Sequence, residues 1–382
     1  TKEIREEYPM NALQTLPLAE AWARLEDEQP HLRIRDAARV LEVSEAELLA
    51  SQMTTSAPKM QVQRLEGNFG ELIKQLKEVG SVMALTRNEA MVHEKHGVYE
   101  NVTLHGRGLG QMGLALGVID LRLFLNHFVF GFAVTQPTPK GSRQSLQFFT
   151  QDGSAIHKIY ATQETQMEAW QHLVEGYLAT DQNPALDLSA LPEKSHMEVP
   201  EQLNLDALKA DWSALKDVHH FQALLKKHQI GRIPAYERIG PKYAQPLSPS
   251  AFERALILAE QARLPIMVFV GNTGCIQIHT GPVHNLKRMK QWFNVLDEGF
   301  NLHADTEQIA QAWLVRKPTS DGIVTSLEIF DANGQQIAIL FGERKNGQEE
   351  LPGWRILAQQ LLEERGLNAV DSAKNSEGGA AA

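Results

Sequence analysis

The chain has one cysteine in 382 residues, so it cannot form an internal disulfide. Cys275 sits in the apolar run from Ile266 to Ile278, and a lone cysteine fits a reducing compartment, so a cytoplasmic location is expected. Long hydrophobic runs are also missing. The most apolar stretch, Leu121 to Val134, is interrupted by Arg122, Asn126 and His127 and falls short of the roughly 20 residues that span a bilayer. Residues 1–10 are charged and lack the apolar core of a signal peptide, so no membrane insertion is expected. There is no excess of positive charge. With 37 Lys and Arg against 47 Asp and Glu the net charge is −10, which argues against a general polyanion binder. A local basic pocket is still allowed, because exposed charges are screened beyond roughly 8 Å at physiological salt.

With 43% hydrophobic residues, the chain can bury two sizeable cores. The first ordered segment is Leu16 to Glu28, with Ala21, Trp22 and Leu25 on one side. Residues 35–51 then read as two short helices joined at Val43-Ser44, with Ser44 as a cap and Ala37-Ala38 permitting close packing. This resembles a helix-turn-helix and supplies the alternative function, a DNA-binding regulator. The second helix offers two glutamates and apolar residues where base readout needs Arg, Lys, Asn or Gln, so nucleic acid is disfavoured.

Two further motifs are tested and set aside. Gly108-Leu109-Gly110-Gln111-Met112-Gly113 matches a dinucleotide-binding glycine pattern, but no acidic residue follows about twenty positions on and no βαβ unit surrounds it. His93-Glu94-Lys95-His96 lacks the four-residue histidine spacing of a zinc protease and reads as a strand end and turn. Arg122 is more informative, because it stands inside the strand-like alternation Leu121 to Asn126. A buried arginine needs either a carboxylate, such as Asp120 or Glu100, or a ligand cavity.

The second half of the chain repeats the first. Met83 and Asn88 recur as Met267 and Asn272, 184 positions later. Pro137, Ser145, Leu146, Phe149 and Gly153 recur 181 positions later as Pro318, Ser326, Leu327, Phe330 and Gly334. Trp22 answers to Trp212 and Trp170 to Trp354. Such ordered markers indicate a tandem duplication of one α+β unit: two similar halves, each a large antiparallel β-sheet with flanking helices. The expected boundaries are 16–180 for the first repeat, 181–200 for a linker, 201–367 for the second repeat, and 368–382 for a disordered tail.

The repeats differ where chemistry is expected. Only the second carries Asp217-Val218-His219-His220-Phe221, which opens an amphipathic segment through Leu224, Leu225 and His228. Asp217 suits an N-cap, and a histidine in a first helical turn feels the positive end of the helix dipole, which favours a neutral, metal-competent imidazole. Asp217 pulls the other way. At the 181 offset Arg122 corresponds to His303.

Four motifs in order carry a resemblance: Asp120-Leu121-Arg122-Leu123-Phe124-Leu125-Asn126, Asp217-Val218-His219, Met267-Val268-Phe269-Val270-Gly271-Asn272, and Arg316-Lys317-Pro318-Thr319-Ser320-Asp321-Gly322. From about Leu16 to Leu367 the chain resembles the bacterial haem-trafficking and haem-degrading family of HemS, ChuS, HmuS and PhuS. That resemblance implies a cytoplasmic haem-binding protein of iron acquisition, with haem (iron protoporphyrin IX) as its ligand. It would pass haem to a haem oxygenase, take it from the haem importer, or degrade it. His219 is implied as the iron ligand, with His220 and His303 as rivals, and Arg122 as the residue across the opposite face, catalytic if the protein is an enzyme. Arg232, Lys317 and Arg344 match positions that hold polar groups at the haem edge. Phe124 and Phe269 match its hydrophobic wall. Where these relatives tend to have Gln-Leu-Tyr-Gly, this chain has Ile339-Leu340-Phe341-Gly342, so Phe341 brings no phenol and a hydrogen bond near the haem edge is expected to be absent.

Overall fold

The computed structural model describes residues 15–30, 32–106, 108–139, 141–191, 199–345 and 347–377. The chain divides into two compact units. One takes the described residues of 1–85, 96–192 and 272–275, and the other those of 86–95, 193–271 and 276–382.

In the first unit, strands Gln61–Leu65, Phe130–Thr138, Gly141–Phe149, Ala155–Thr165 and Gly80–Arg87 lie side by side in that order. A second run is Asp120–Phe124, Met112–Leu116, Asn101–His105. The second unit repeats the five-strand run with Ala244–Leu247, Gln311–Thr319, Gly322–Phe330, Gln336–Gly342 and Ile266–Gly271, and adds Cys275–Gly281. It also holds Met91–Gly97, Phe300–Asp305, Trp292–Asp297 and Leu286–Met289 as consecutive antiparallel neighbours. The expected α+β duplication is present, and it reaches the finest detail of the ladders. The hairpin closing at Thr138↔Gly141 recurs at Thr319↔Gly322, and the register slip at Phe148/Phe149 recurs at Ile329/Phe330.

Helices pack where apolar periodicity demands. In the first unit Leu18–Glu28, Ile34–Val40 and Glu45–Ser51 bury Trp22, Leu25, Ala37, Leu48 and Leu49 against Phe130, Phe132 and Phe149 of the sheet. Ser44 caps the third helix in a reciprocal capping box with Glu47. Five of that helix's seven residues are buried, Glu45 in an ion pair with Lys158. Its two remaining positions are Glu47 and Ser51, so it presents no cation to a DNA groove. The glycine-rich motif forms a short 3-10 turn, Gly108–Gly110, that leads into a strand rather than a helix, which removes the phosphate-binding geometry.

In the second unit Leu205–Ser213, Phe221–Lys227 and Arg232–Ile239 surround Trp212 and Tyr236, and pack on Trp313, Val315 and Phe330. Ala251–Gln261 and the first part of Pro352–Glu377 join a separate core with Val268, Val270 and Leu340. The final helix runs through 368–377; residues 192–198 of the expected linker and 378–382 of the expected tail lie outside the described residues.

Two local readings change. The His93-to-His96 stretch is strand interior, not a strand end and turn: it lies within Met91–Gly97 with His93 and Lys95 both buried. Its partner strand Phe300–Asp305 continues the ladder past the point where polar composition suggested a stop. The repeat asparagines Asn88 and Asn272 gain a reason. Asn88 Nδ2 donates to the carbonyls of Gly271 and Ile337, within the second unit. Asn272 Nδ2 donates to the carbonyl of Ile156, within the first.

Candidate functional site

His219 stands in a single 3-10 turn, Val218–His220, that precedes the helix Phe221–Lys227. Asp217 starts the turn. Its Oδ1 accepts from the backbone N–H of His219 at 2.8 Å and lies 2.6 Å from His219 Nδ1. These contacts, the backbone one foremost, hold the Asp217 carboxyl below the usual carboxylate range. A carboxylate against Nδ1 makes that nitrogen the donor and leaves Nε2 with its lone pair, the form a metal takes. The His219 side chain is 83% exposed, so Nε2 is open to a ligand. His220 is also exposed, whereas His303 is half-buried with Nδ1 2.7 Å from Asn294 Oδ1.

Register places a second set of residues on one face of the sheet in the same unit. Trp313 pairs with Glu328, Glu328 with Ile339, and Ile339 with Phe269. Directly opposed residues share a face. Met267, Phe269, Ile339 and Phe341 are half-buried there, an apolar floor on the side away from Val268, Val270 and Leu340. The Phe269 and Phe341 rings meet edge to face at 5.2 Å. Without a phenol at position 341, that floor is wholly apolar at this point. Arg344 follows the end of Phe341's strand, and its buried Nε has no hydrogen-bond partner among the described residues.

Farther along this face lies a buried charge cluster. Glu328 is fully buried and accepts from five donors: Lys317 Nζ at 2.5 Å, Ser326 Oγ at 2.9 Å, Tyr236 Oη at 2.7 Å, Gln336 Nε2 at 2.8 Å and Arg232 Nη1 at 3.3 Å. Burial alone would raise the Glu328 carboxyl, but Lys317 and Arg232 outweigh it and hold it at about 2. Burial lowers the Lys317 ammonium against the pull of Glu328. Burial, then Glu328, pushes the Tyr236 phenol well above its usual range, so it stays a neutral donor. Lys317 and Arg232 both lie over the Phe221 ring, at 4.5 and 5.3 Å from its centroid.

Arg122 and Phe124 are carried by the first unit, on strand Asp120–Phe124. Arg122 Nη1 donates to Asp120, the first of the two carboxylates expected for it, and to the Leu121 carbonyl at 3.1 Å. Burial raises the Asp120 carboxyl, partly offset by Arg122. Phe124 is half-buried and its N–H donates to the Gly274 carbonyl at 2.9 Å.

The structure thus brings Phe269 to Phe341, and Arg232 to Lys317 through Glu328. Glu328 and Tyr236 are absent from the residues the sequence singled out, and Phe221 figured there only in an apolar helix face. A carboxylate inside Ser326-Leu327-Glu328-Ile329-Phe330 carries the same signal that singled out Arg122, a charge within an apolar strand that must find a partner.

A family model described as the haemin-degrading HemS.ChuX domain matches residues 42–177 and again 229–361. The chain belongs to this family and carries the domain twice. Among curated relatives, the hemin transport protein HemS of Yersinia enterocolitica is 41% identical over 339 residues, covering 88% of this chain and 94% of the relative. Among solved structures, holo-PhuS, a heme-binding protein from Pseudomonas aeruginosa, aligns with a TM-score of 0.85 at 46% identity, over 89% of this chain and 97% of that one. ChuS, an E. coli heme oxygenase, aligns at 0.79 with 37% identity, over 91% and 99%.

Proposed function

We propose that this protein binds haem through His219 and carries it as cargo in bacterial haem uptake, within the cytoplasm. The observation that carries this reading is the Asp217–His219 pair, whose 2.6 Å contact engages Nδ1 and leaves Nε2 on an exposed ring. Haem bears an iron that takes an imidazole nitrogen and two carboxylates that take cations. The residues present suit each part. Phe269 and Phe341 provide an apolar wall. Arg344 has a buried Nε with no partner among the described residues, and Arg232 meets Glu328 and Gln222 at 3.3 and 3.4 Å. Lys317 backs Arg232 through Glu328. Ligation on a single exposed turn suits release to a haem oxygenase, and acquisition from the haem importer, better than permanent retention.

A hemin titration of the purified chain beside His219→Ala tests the reading. Saturation near one haem per chain is expected, with the Soret band shifted in the variant. A spectrum unchanged by His219→Ala moves the iron to His220 or His303, which separate alanine variants identify. No binding at all defeats the haem reading.

A second reading, oxidative opening of the ring, is favoured by Arg122. As a hydrogen-bond-donating cation it would stabilise negative charge that develops during that reaction. Loss of the Soret band that requires reductant and dioxygen, releases iron and survives added catalase would establish it. Loss that catalase abolishes would leave the carrier role.

A further inference from the structure

The cluster around Glu328 holds two cations, Arg232 and Lys317, against one carboxylate. Buried charge that is not balanced is costly unless another group compensates it, so one unit of positive charge is left for an incoming anion. Arg232 is placed to receive it. Its side chain is 27% exposed while that of Lys317 is 4% exposed, and its contacts to Glu328, Tyr236 and Gln222 are all between 3.3 and 3.4 Å. Lys317, with its short bond to Glu328, is the fixed member of the pair.

Both cations share a neighbour. Phe221 is buried with its ring 4.5 Å from Lys317 Nζ and 5.3 Å from the Arg232 guanidinium carbon. Trp212 holds another part of the same ring edge to face at 4.8 Å. Phe221 is the first residue of its helix, and His219 lies two residues before it in the turn that the helix continues. A displacement of the guanidinium therefore reaches Phe221 directly, and from there the turn that aims His219.

We propose that Glu328 is a positioning residue that holds Arg232 and Lys317 against Phe221 and so couples capture of a ligand carboxylate at Arg232 to the placement of His219. This rests on the haem reading above, since it needs a ligand that carries both carboxylates and a metal. Glu328 touches neither. Its effect passes through Phe221, and the hydrogen bonds it accepts include one from each of the two cations.

The coupling separates two ligands that a loss of folding would treat alike: hemin, and metal-free protoporphyrin IX, which has the carboxylates and no iron. Glu328→Gln removes a carboxylate that competes for Arg232, so it is expected to bind metal-free protoporphyrin as tightly as the native chain or tighter. The same variant is expected to bind hemin about tenfold more weakly, with a changed Soret position and spin state, because the imidazole is no longer aimed. In a His219→Ala background the Glu328→Gln effect on hemin should shrink to about twofold or less. Phe221→Leu leaves the charges in place and removes the ring. It should reproduce the hemin defect while metal-free protoporphyrin binding stays within about threefold, which keeps the test open if Glu328→Gln does not fold.

Equal weakening of both ligands by Glu328→Gln, or by Phe221→Leu if the first variant does not fold, would overturn the coupling. So would an equal effect on hemin with and without His219. If His219→Ala alone leaves the hemin spectrum unchanged, the ligand assignment itself fails and the coupling falls with it. A clear His219 effect that is independent of Glu328 defeats the coupling alone.

Discussion

Asp217 has two tasks that a single oxygen performs. Oδ1 satisfies the free backbone N–H of His219 and also engages the ring Nδ1, so the cap that starts the turn selects the imidazole tautomer. Asp217→Asn tests the second task. The amide still accepts from the backbone but gives up the negative charge that raises the basicity of the ring. Hemin affinity is expected to fall by about 10- to 100-fold, with the Soret band moved toward that of His219→Ala. Affinity equal to the native chain would show that the carboxylate is only a cap. The Asp217-Val218-His219 spacing made this pair visible in sequence. Glu328 was harder to see, because its importance lies in donors from Arg232, Tyr236 and Gln336, and no spacing rule connects them.

At the scale of elements, the Ser44 cap was legible and its surroundings were not. The reciprocal bonds between Ser44 and Glu47 follow from their three-residue spacing. That the turn at Gly153 presses against the same cap does not. Gly153 has φ +78°, and a Cβ there would sit 2.2 Å from Ser44 Oγ, while its carbonyl accepts from the Ala46 N–H at 3.2 Å. Ser44→Ala should therefore cost about 1 kcal/mol. Gly153→Ala should cost more, roughly 2–4 kcal/mol, because unfavourable backbone and a collision with the helix start add. Urea unfolding of the two variants checks the order. A Gly153→Ala loss no larger than that of Ser44→Ala would mean the turn moves aside freely. The His93-to-His96 stretch shows the opposite failure. Four polar residues in a row look like a strand's end, and the ladder to Phe300–Asp305 continues through them as far as Lys95.

For the molecule as a whole, pH reads out the buried imidazoles. Burial holds His157 at about 3, and burial together with Lys95 holds His279 at about 3, each from an ordinary 6.5. His157 lies 2.6 Å from Tyr99 Oη, while His279 lies 2.8 Å from Lys95 Nζ and stacks on Phe300 at 3.7 Å. Both folded values are depressed, so the unfolded chain takes up these protons first as pH falls. Stability is complete above about 6.5 and drains away down to about 3, by roughly 3 kcal/mol for each histidine at pH 4. Glu328, held at about 2, adds a further loss that begins near its ordinary 4.5. Lys95, lowered by burial to about 8 against the pull of Asp297, acts at the other end: stability gains as pH rises from 8 to 10.5. Denaturant unfolding across pH 4 to 7 should show this decline, and His279→Gln should flatten it. An unchanged slope in that variant would mean its imidazole already carries the proton in the folded chain.

By itself the sequence determined the duplication, the α+β class, the helix caps and the location of His219 and Arg122. Each depends on a short spacing or on a pattern repeated along the chain, and backbone geometry turns such patterns into local structure. Tertiary structure alone decided which residues belong to which compact unit. Residues 86–95 join the second and 272–275 the first, with Asn88 and Asn272 fastening them. It also decided that Lys95 meets His279, 184 positions away, and that Lys317 and Arg232 answer to one carboxylate. The physical reason is the same in each case. A buried charge or amide must be satisfied, but the donor or acceptor that satisfies it is chosen by strand register and helix packing, which bring together residues with no fixed separation in sequence.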